Sequence, residues 1–229
     1  MSKAGEDRTI LLCYFIAEAA LLAGTVSLQT CVPESVYTKI QYPAIILNFM
    51  VMLHFYMQGK VSQGTWREKA IPLALLLTLC ADLFLVGINN YYIIGILFFC
   101  AVQTVYALYL GVNKISLFAR AALFIILAVF VAKTDFTLLA SSYSMANLTV
   151  NVFSAWHAYA KEHTPEKLLF AIGILLFFGC DVSVGIRNAA GLSTMLYAVS
   201  FYLVWIFYIP SQVFINMSFI RGAKGKKNS

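Results

Sequence analysis

The chain has 229 residues, of which 61% are apolar and 11% charged, and its mean hydropathy is +0.82. A water-soluble domain carries roughly 25% charged residues, so this composition excludes one. The formal charge of +6 implies no nucleic-acid partner, because basic residues beside anionic lipid headgroups account for it.

Apolar runs of about 18–20 residues are each long enough to cross a bilayer core about 30 Å thick. They fall at 9–28, 40–57, 70–88, 91–110, 117–132, 138–158, 167–186 and 196–219. A membrane barrel would show short alternating segments instead. The expected fold is therefore all-α: one integral membrane domain over residues 1–229, built of eight transmembrane helices, with a basic tail at 220–229. The first run follows the polar stretch Ser2 to Arg8 and is too long for a cleavable signal peptide. The third and fourth runs share the short turn Gly87-Ile88-Asn89-Asn90, which predicts an antiparallel hairpin.

With the N-terminus on side one, that side receives Lys3, Arg8, Lys60, Arg67, Lys69, Lys114, Arg120, Lys161, Lys167, Arg221, Lys224, Lys226 and Lys227. The other side receives Lys39, Lys133 and Arg187. Basic loops stay cytoplasmic, so both termini are expected there. Lys226-Lys227-Asn228-Ser229 has the form of a dilysine retrieval signal for the endoplasmic reticulum in a eukaryotic host, an address read by a receptor. A plain basic tail is the other reading.

Cys13, Cys31, Cys80, Cys100 and Cys180 are scattered, with no CxxC pair and no Cys/His cluster. Neither a disulfide framework nor a zinc site is indicated, and the cysteines read as small buried apolar residues. His54, His157 and His163 fall toward cytoplasmic ends of their runs. No metal and no cofactor is expected.

Three acids lie well inside the runs: Glu18, Asp82 and Asp181. An ionisable group in hydrocarbon costs several kcal/mol and is a functional candidate by default. No Lys or Arg reads as deep enough to pair with them. Asp82 lies 13 residues past Lys69, and Asp181 lies 14 past Lys167. At 1.5 Å per residue each sits roughly 20 Å from its cytoplasmic anchor, so the two carboxyls share one layer. If they face each other, repulsion keeps one neutral while the other ionises. Such a pair suits acid–base work. Protonated aspartates that only bond neighbouring helices are the structural reading. Cys80-Ala81-Asp82 before Gly87-Ile88-Asn89, and Cys180-Asp181 before Gly185-Ile186-Arg187, hint at an internal repeat.

Glu18 fits either a third site member or a helix–helix bond. Ser144, Asn147 and Asn151 share one helical face by their i, i+3, i+7 spacing, which either lines a polar cavity or joins helices. Asn147-Leu148-Thr149 has the form of a glycosylation acceptor, silent at this depth. Tyr208 and Gln212 flank Pro210 on the last run, where proline frees a backbone carbonyl.

These residues resemble the YhhN / transmembrane protein 86 family, whose characterised eukaryotic members are lysoplasmalogenases. Three segments carry the resemblance, in order. Ala81-Asp82-Leu83-Phe84-Leu85 resembles the family's Gly-Asp-x-x-Leu. The run Ile174 to Asp181 resembles its apolar stretch ending in Ser-Asp. Tyr208-Ile209-Pro210-Ser211-Gln212 resembles its Tyr-x-x-x-Gln. Thr38-Lys39 with Pro43 resembles its Thr-Lys-Pro with the proline displaced, and Gln103-Thr104-Val105-Tyr106 stands where His-x-x-Tyr is frequent. Ala81, Cys180 and Gln103 depart from the family pattern.

The resemblance implies hydrolysis of the vinyl ether bond of lysoplasmalogens to a fatty aldehyde and a glycerophospho-ethanolamine or -choline. It implies Asp82 and Asp181 as the catalytic pair. Tyr208, Gln212, Asn147, Asn151, Gln103 and Glu18 are candidates for holding water or substrate. The partners expected are the bilayer and a lysophospholipid. A proton-coupled transporter and a non-catalytic lipid-binding protein of the same fold are the competing readings.

Overall fold

The computed structural model describes residues 3–29, 31, 34–59, 66–88, 91–131, 136–189 and 195–225. Among them there are eight α-helices and no strand: α1 (Lys3–Leu28), α2 (Glu34–Met57), α3 (Trp66–Asp82), α4 (Tyr92–Leu110), α5 (Lys114–Val131), α6 (Phe136–Glu162), α7 (Pro165–Ala189) and α8 (Met195–Gly225). The described residues of each apolar run lie in helical segments, save Ile88 and Tyr91 at the turn between the third and fourth runs. Six segments are long and apolar enough to cross a membrane: Gly5–Leu28, Ile40–Met57, Lys69–Gly87, Tyr92–Leu110, Pro165–Ala189 and Met195–Ile220. The chain is an integral membrane protein of helical class. Asn89, Asn90, Lys133 and Lys226 to Ser229 lie outside the described residues.

Local chemistry explains the helix starts. Asn113 Oδ1 accepts the Ser116 amide at 2.7 Å and caps α5. Thr164 Oγ1 accepts the Lys167 amide at 3.4 Å, and Pro165 takes the first position of α7, where its missing N–H costs nothing. A Glu162–Lys167 ion pair crosses the α6–α7 turn. Pro43, Pro72 and Pro210 all sit inside helices without ending them.

The third run departs from the single regular helix expected over 70–88. Regular α geometry stops at Asp82, and Leu83–Gly87 forms a π-helical turn closed by the Ile88 amide on the Leu83 carbonyl at 2.7 Å. Tyr91, in left-handed backbone with φ 58°, starts α4. The expected hairpin forms, and α3 packs on α4. Gly95 makes this approach close: a Cβ there would meet the Leu85 side chain at 2.5 Å.

Successive helices pack side by side from α1 to α4. α4 then packs on α6, α6 on α7 and α7 on α8, and α8 returns against α1, α2 and α3. Among the described residues α5 packs on α6 and on no other helix, outside this ring. Buried residues between the helices include Phe55, Tyr106, Leu148, Phe177 and Ile215.

The α7–α8 seam is the tightest. A Cβ on Gly173 would lie 2.7 Å from Ile215 Cγ1 and 3.0 Å from the Ser211 carbonyl. In lipid, close backbone approach at small residues supplies much of the helix association. Gly173→Leu is therefore expected to separate α7 from α8 and to destabilise the bundle by about 1–3 kcal/mol, read as a lower thermal midpoint in detergent.

Candidate active site

The two aspartates reach the interior from helices whose backbones do not lie side by side. Among the described residues α3 and α7 have no close backbone approach. α8 packs against both, and α4 and α6 connect them on the other side. Asp82 is 3% exposed. Its Oδ2 accepts the Tyr208 hydroxyl of α8. Tyr208 is held in turn by ring contacts with Phe177 at 5.8 Å and Trp205 at 5.7 Å. Trp205 thus packs against the residue that touches the acid.

Asp181 lies within electrostatic range of Asp82. It is partly exposed, and no hydrogen bond to its carboxyl occurs among the described residues. The two acids differ accordingly. Asp82 is enclosed and receives a hydroxyl donor, whereas Asp181 is partly exposed.

Cys180 stands beside both carboxyls, Cys100 of α4 lies within range of Asp181, and Tyr42 of α2 lies within range of Asp82. Cys100 Sγ contacts the Ala140 carbonyl at 3.3 Å. The Tyr42 hydroxyl reaches the Leu79 carbonyl at 3.4 Å, one turn before Asp82. Cys180 and Cys100 therefore border the acids, beyond the packing role that their sequence setting indicated. Tyr42 escaped attention because a tyrosine in an apolar run carries no spacing signal.

The other candidate residues form two separate groups. Asn147 and Asn151 do not open onto a cavity with the acids. They bind a cation. Arg120 of α5 is 7% exposed. Its guanidinium donates to Asn147 Oδ1 at 3.0 Å, to the Asn147 carbonyl at 3.1 Å and to Asn151 Oδ1 at 2.8 Å. Asn151 Nδ2 donates to Gln103 Oε1 and to the Gln103 carbonyl, both at 3.0 Å. One polar chain thus ties α5, α6 and α4 together.

The sequence places Arg120 among the basic residues of side one and leads to no expectation of a Lys or Arg deep enough to pair with the acids. Arg120 is buried, and its hydrogen-bond partners are Ser116, Asn147 and Asn151 rather than an acid. Arg120 falls inside the expected fifth run, and a cation within an apolar run is itself a signal. Ser144 Oγ is buried without a hydrogen-bond partner among the described residues.

Glu18 belongs to the third group. Its Oε1 accepts from Asn48 Nδ2 at 2.8 Å. Asn48 Oδ1 accepts from the Tyr14 hydroxyl. Asn216 Nδ2 reaches the Asn48 carbonyl at 2.9 Å and Tyr14 at 3.4 Å. This joins α1, α2 and α8, away from the aspartates. A cavity of about 310 Å³ lies on the same side, between α1, α7 and α8, with Glu18 in its wall.

Gln212 is 1% exposed, and its Nε2 reaches only Ser211 Oγ at 3.4 Å. Its Oε1 is buried without a hydrogen-bond partner among the described residues. The three histidines stay out of all three groups: His54 pairs with Gln58 at 2.8 Å, and His163 packs on Tyr159.

Fold and site together define a polytopic helical membrane protein with two acids from non-adjacent helices converging in its interior. The family model of the YhhN family matches residues 38–219, a span that includes Asp82, Asp181 and Tyr208. The chain belongs to the YhhN family. No curated protein and no solved structure matches it.

Proposed function

We propose that this protein is a lysoplasmalogenase-like hydrolase that cleaves the vinyl ether bond of a lysophospholipid with Asp82 and Asp181. The observation that carries the reading is the approach of two carboxyls within electrostatic range, Asp82 held by Tyr208 and Asp181 without a hydrogen bond among the described residues. Membership of the YhhN family supports it.

Vinyl ether hydrolysis begins with proton transfer to the β-carbon of the enol ether, which leaves an oxocarbenium ion. Water adds to that cation and loses a proton, and the hemiacetal collapses to aldehyde and alcohol. The chemistry asks for a neutral acid, a nearby negative charge and a held water. One carboxyl of the pair is the neutral acid and the other is the carboxylate, because repulsion at this range disfavours two charges. The carboxylate stabilises the cation and takes the proton of the attacking water. The Tyr208 hydroxyl donates to Asp82 and orients that carboxyl. A pair whose settings differ divides acid and base work as in glycoside hydrolysis. The amphiphilic substrate enters sideways from the leaflet, and both chain termini lie in the cytoplasm.

The test is aldehyde release from a lysoplasmalogen by the purified chain in mixed micelles. Stoichiometric aldehyde and glycerophospho-alcohol are expected. Folded protein that releases neither overturns the reading. Tyr208→Phe removes the donor to Asp82 and is expected to lower turnover about tenfold or more, with the chain still folded by gel filtration.

A further inference from the structure

Burial around the acid pair is one-sided. Along one face of α7, Ile174 and Phe177 are buried, Asp181 is partly exposed, and Gly185 and Asn188 are exposed. These positions recur at helical spacing, so they form one stripe. α3 repeats the pattern: Thr78 is buried one turn before Asp82, and no residue of the π-helical turn Leu83–Gly87 after it is buried. The acids therefore stand where the closed core ends, and the way to them opens toward the end of the bundle where α7 gives way to α8. Gly185 keeps that way clear, since a Cβ there would meet nothing within 4 Å.

A cation stands at this end. The Arg187 guanidinium of α7 lies over the Phe201 ring at 4.7 Å and over the Tyr197 ring at 5.8 Å. The two rings, one turn apart near the start of α8, stack on each other with centroids 6.2 Å apart. Such contact holds a guanidinium through its face, while its N–H donors lie in its plane and match a phosphate. Phe201 shares a face of α8 with Tyr208 by its i, i+7 spacing, so the cation is held on the stripe that leads to Asp82.

The spacing fits one lipid. Arg187 lies six residues past Asp181, roughly 9 Å of helix. Phe201 lies seven residues before Tyr208, roughly 10 Å of helix. In a lysoplasmalogen seven bonds separate the β-carbon of the vinyl ether from the phosphorus, about 8 Å at the roughly 1.2 Å that an extended chain advances per bond. We infer that Arg187 binds the phosphate of the lysophospholipid whose vinyl ether lies at the acid pair, with the glycerol passing over Gly185. The choice of this occupant rests on the hydrolase reading above. The lipid comes from the leaflet at the α7–α8 end, and its chain leaves sideways into the bilayer, because the core beyond the acids is closed. Arg187 thereby separates lysophospholipids from neutral ether lipids.

The experiment uses the purified full chain in detergent, with bound lipid counted by native mass spectrometry. The probes are a sixteen-carbon 1-O-alkyl lysophosphatidylcholine, whose saturated ether is not open to the hydrolysis, and the matching 1-O-alkylglycerol without the phosphate. The phospholipid is expected to bind about tenfold or more tightly than the alkylglycerol, the effect of a hydrogen bond to a charged group. Arg187→Leu abolishes that preference and leaves alkylglycerol binding unchanged. Arg187→Lys, which keeps the charge without the planar fork, retains part of it. Gly185→Leu enters open space, melts with the parent protein and weakens binding of both probes. Glycerophosphocholine, which carries the phosphate and no chain, displaces neither.

Equal binding of the two probes by the unmodified chain overturns the inference. So does a preference that survives Arg187→Leu, binding indifferent to Gly185→Leu, or full displacement by glycerophosphocholine. Binding is read without turnover. In a chain that cleaves lysoplasmalogen, Arg187→Leu is also expected to raise KM about tenfold while kcat stays near the parent value. Arg187-dependent binding by a chain that releases no aldehyde sinks the hydrolase reading and keeps the headgroup site. Aldehyde release indifferent to Arg187→Leu does the reverse.

Discussion

Asp181→Asn and Asp82→Asn each reduce aldehyde release from lysoplasmalogen by roughly 10²–10⁴-fold, the usual contribution of a positioned proton-transfer group. The substitution at 181 removes one ionisable carboxyl and keeps the shape of the side chain. That carboxyl makes no hydrogen bond among the described residues, so the variant is expected to melt with the parent protein. The substitution at 82 removes the other ionisable carboxyl of the pair. Its amide oxygen still accepts from Tyr208, so the fold again survives. Both effects are measured on purified protein, with thermal midpoints taken in parallel. Substantial turnover in either folded variant ends the mechanism.

The second large effect is on stability. Arg120→Leu strips donors from Asn147 and Asn151, whose oxygens stay buried between α5 and α6. Hydrogen bonds to a charged group contribute about 1.5–3 kcal/mol each. A loss on the order of 3 kcal/mol is expected from breaking this set. Since α5 packs only on α6 among the described residues, the damage is local at first: proteolysis at the 111–113 connection accelerates before the whole bundle melts. Arg120→Lys restores the charge without the planar fork that reaches both asparagines, and is expected to recover only part of the loss. A variant that melts with the parent and resists protease equally shows that the network does not hold α5.

The helical class was legible because length and apolarity are local properties of the chain, and each of the eight runs could be read without its neighbours. The equal depth of Asp82 and Asp181 was legible for a similar reason, since distance along a helix follows from residue count. Their approach in space depends on helix order around the bundle, which no run encodes. The same limit hid the partition of the remaining polar residues. Asn151 and Glu18 each looked like a site member by depth and type. Only the packing of α6 against α4 and of α2 against α1 assigns Asn151 to Gln103 and Arg120, and Glu18 to Asn48. The π-helical turn had no sequence marker, because Leu83-Phe84-Leu85-Val86 is equally at home in a regular helix.

That wide turn amounts to one surplus residue in the third helix, placed immediately after Asp82. An ordinary helix advances about 100° per residue, so the surplus turns everything downstream of the acid by that angle relative to everything upstream. It lets Leu85 seat against Gly95 and Gly87 against Tyr42, while the upstream segment still directs Asp82 toward Tyr208. Deleting any single residue from 83 to 87 would leave composition and hydropathy almost unchanged, yet would force a choice between a well-seated hairpin and a correctly aimed carboxyl.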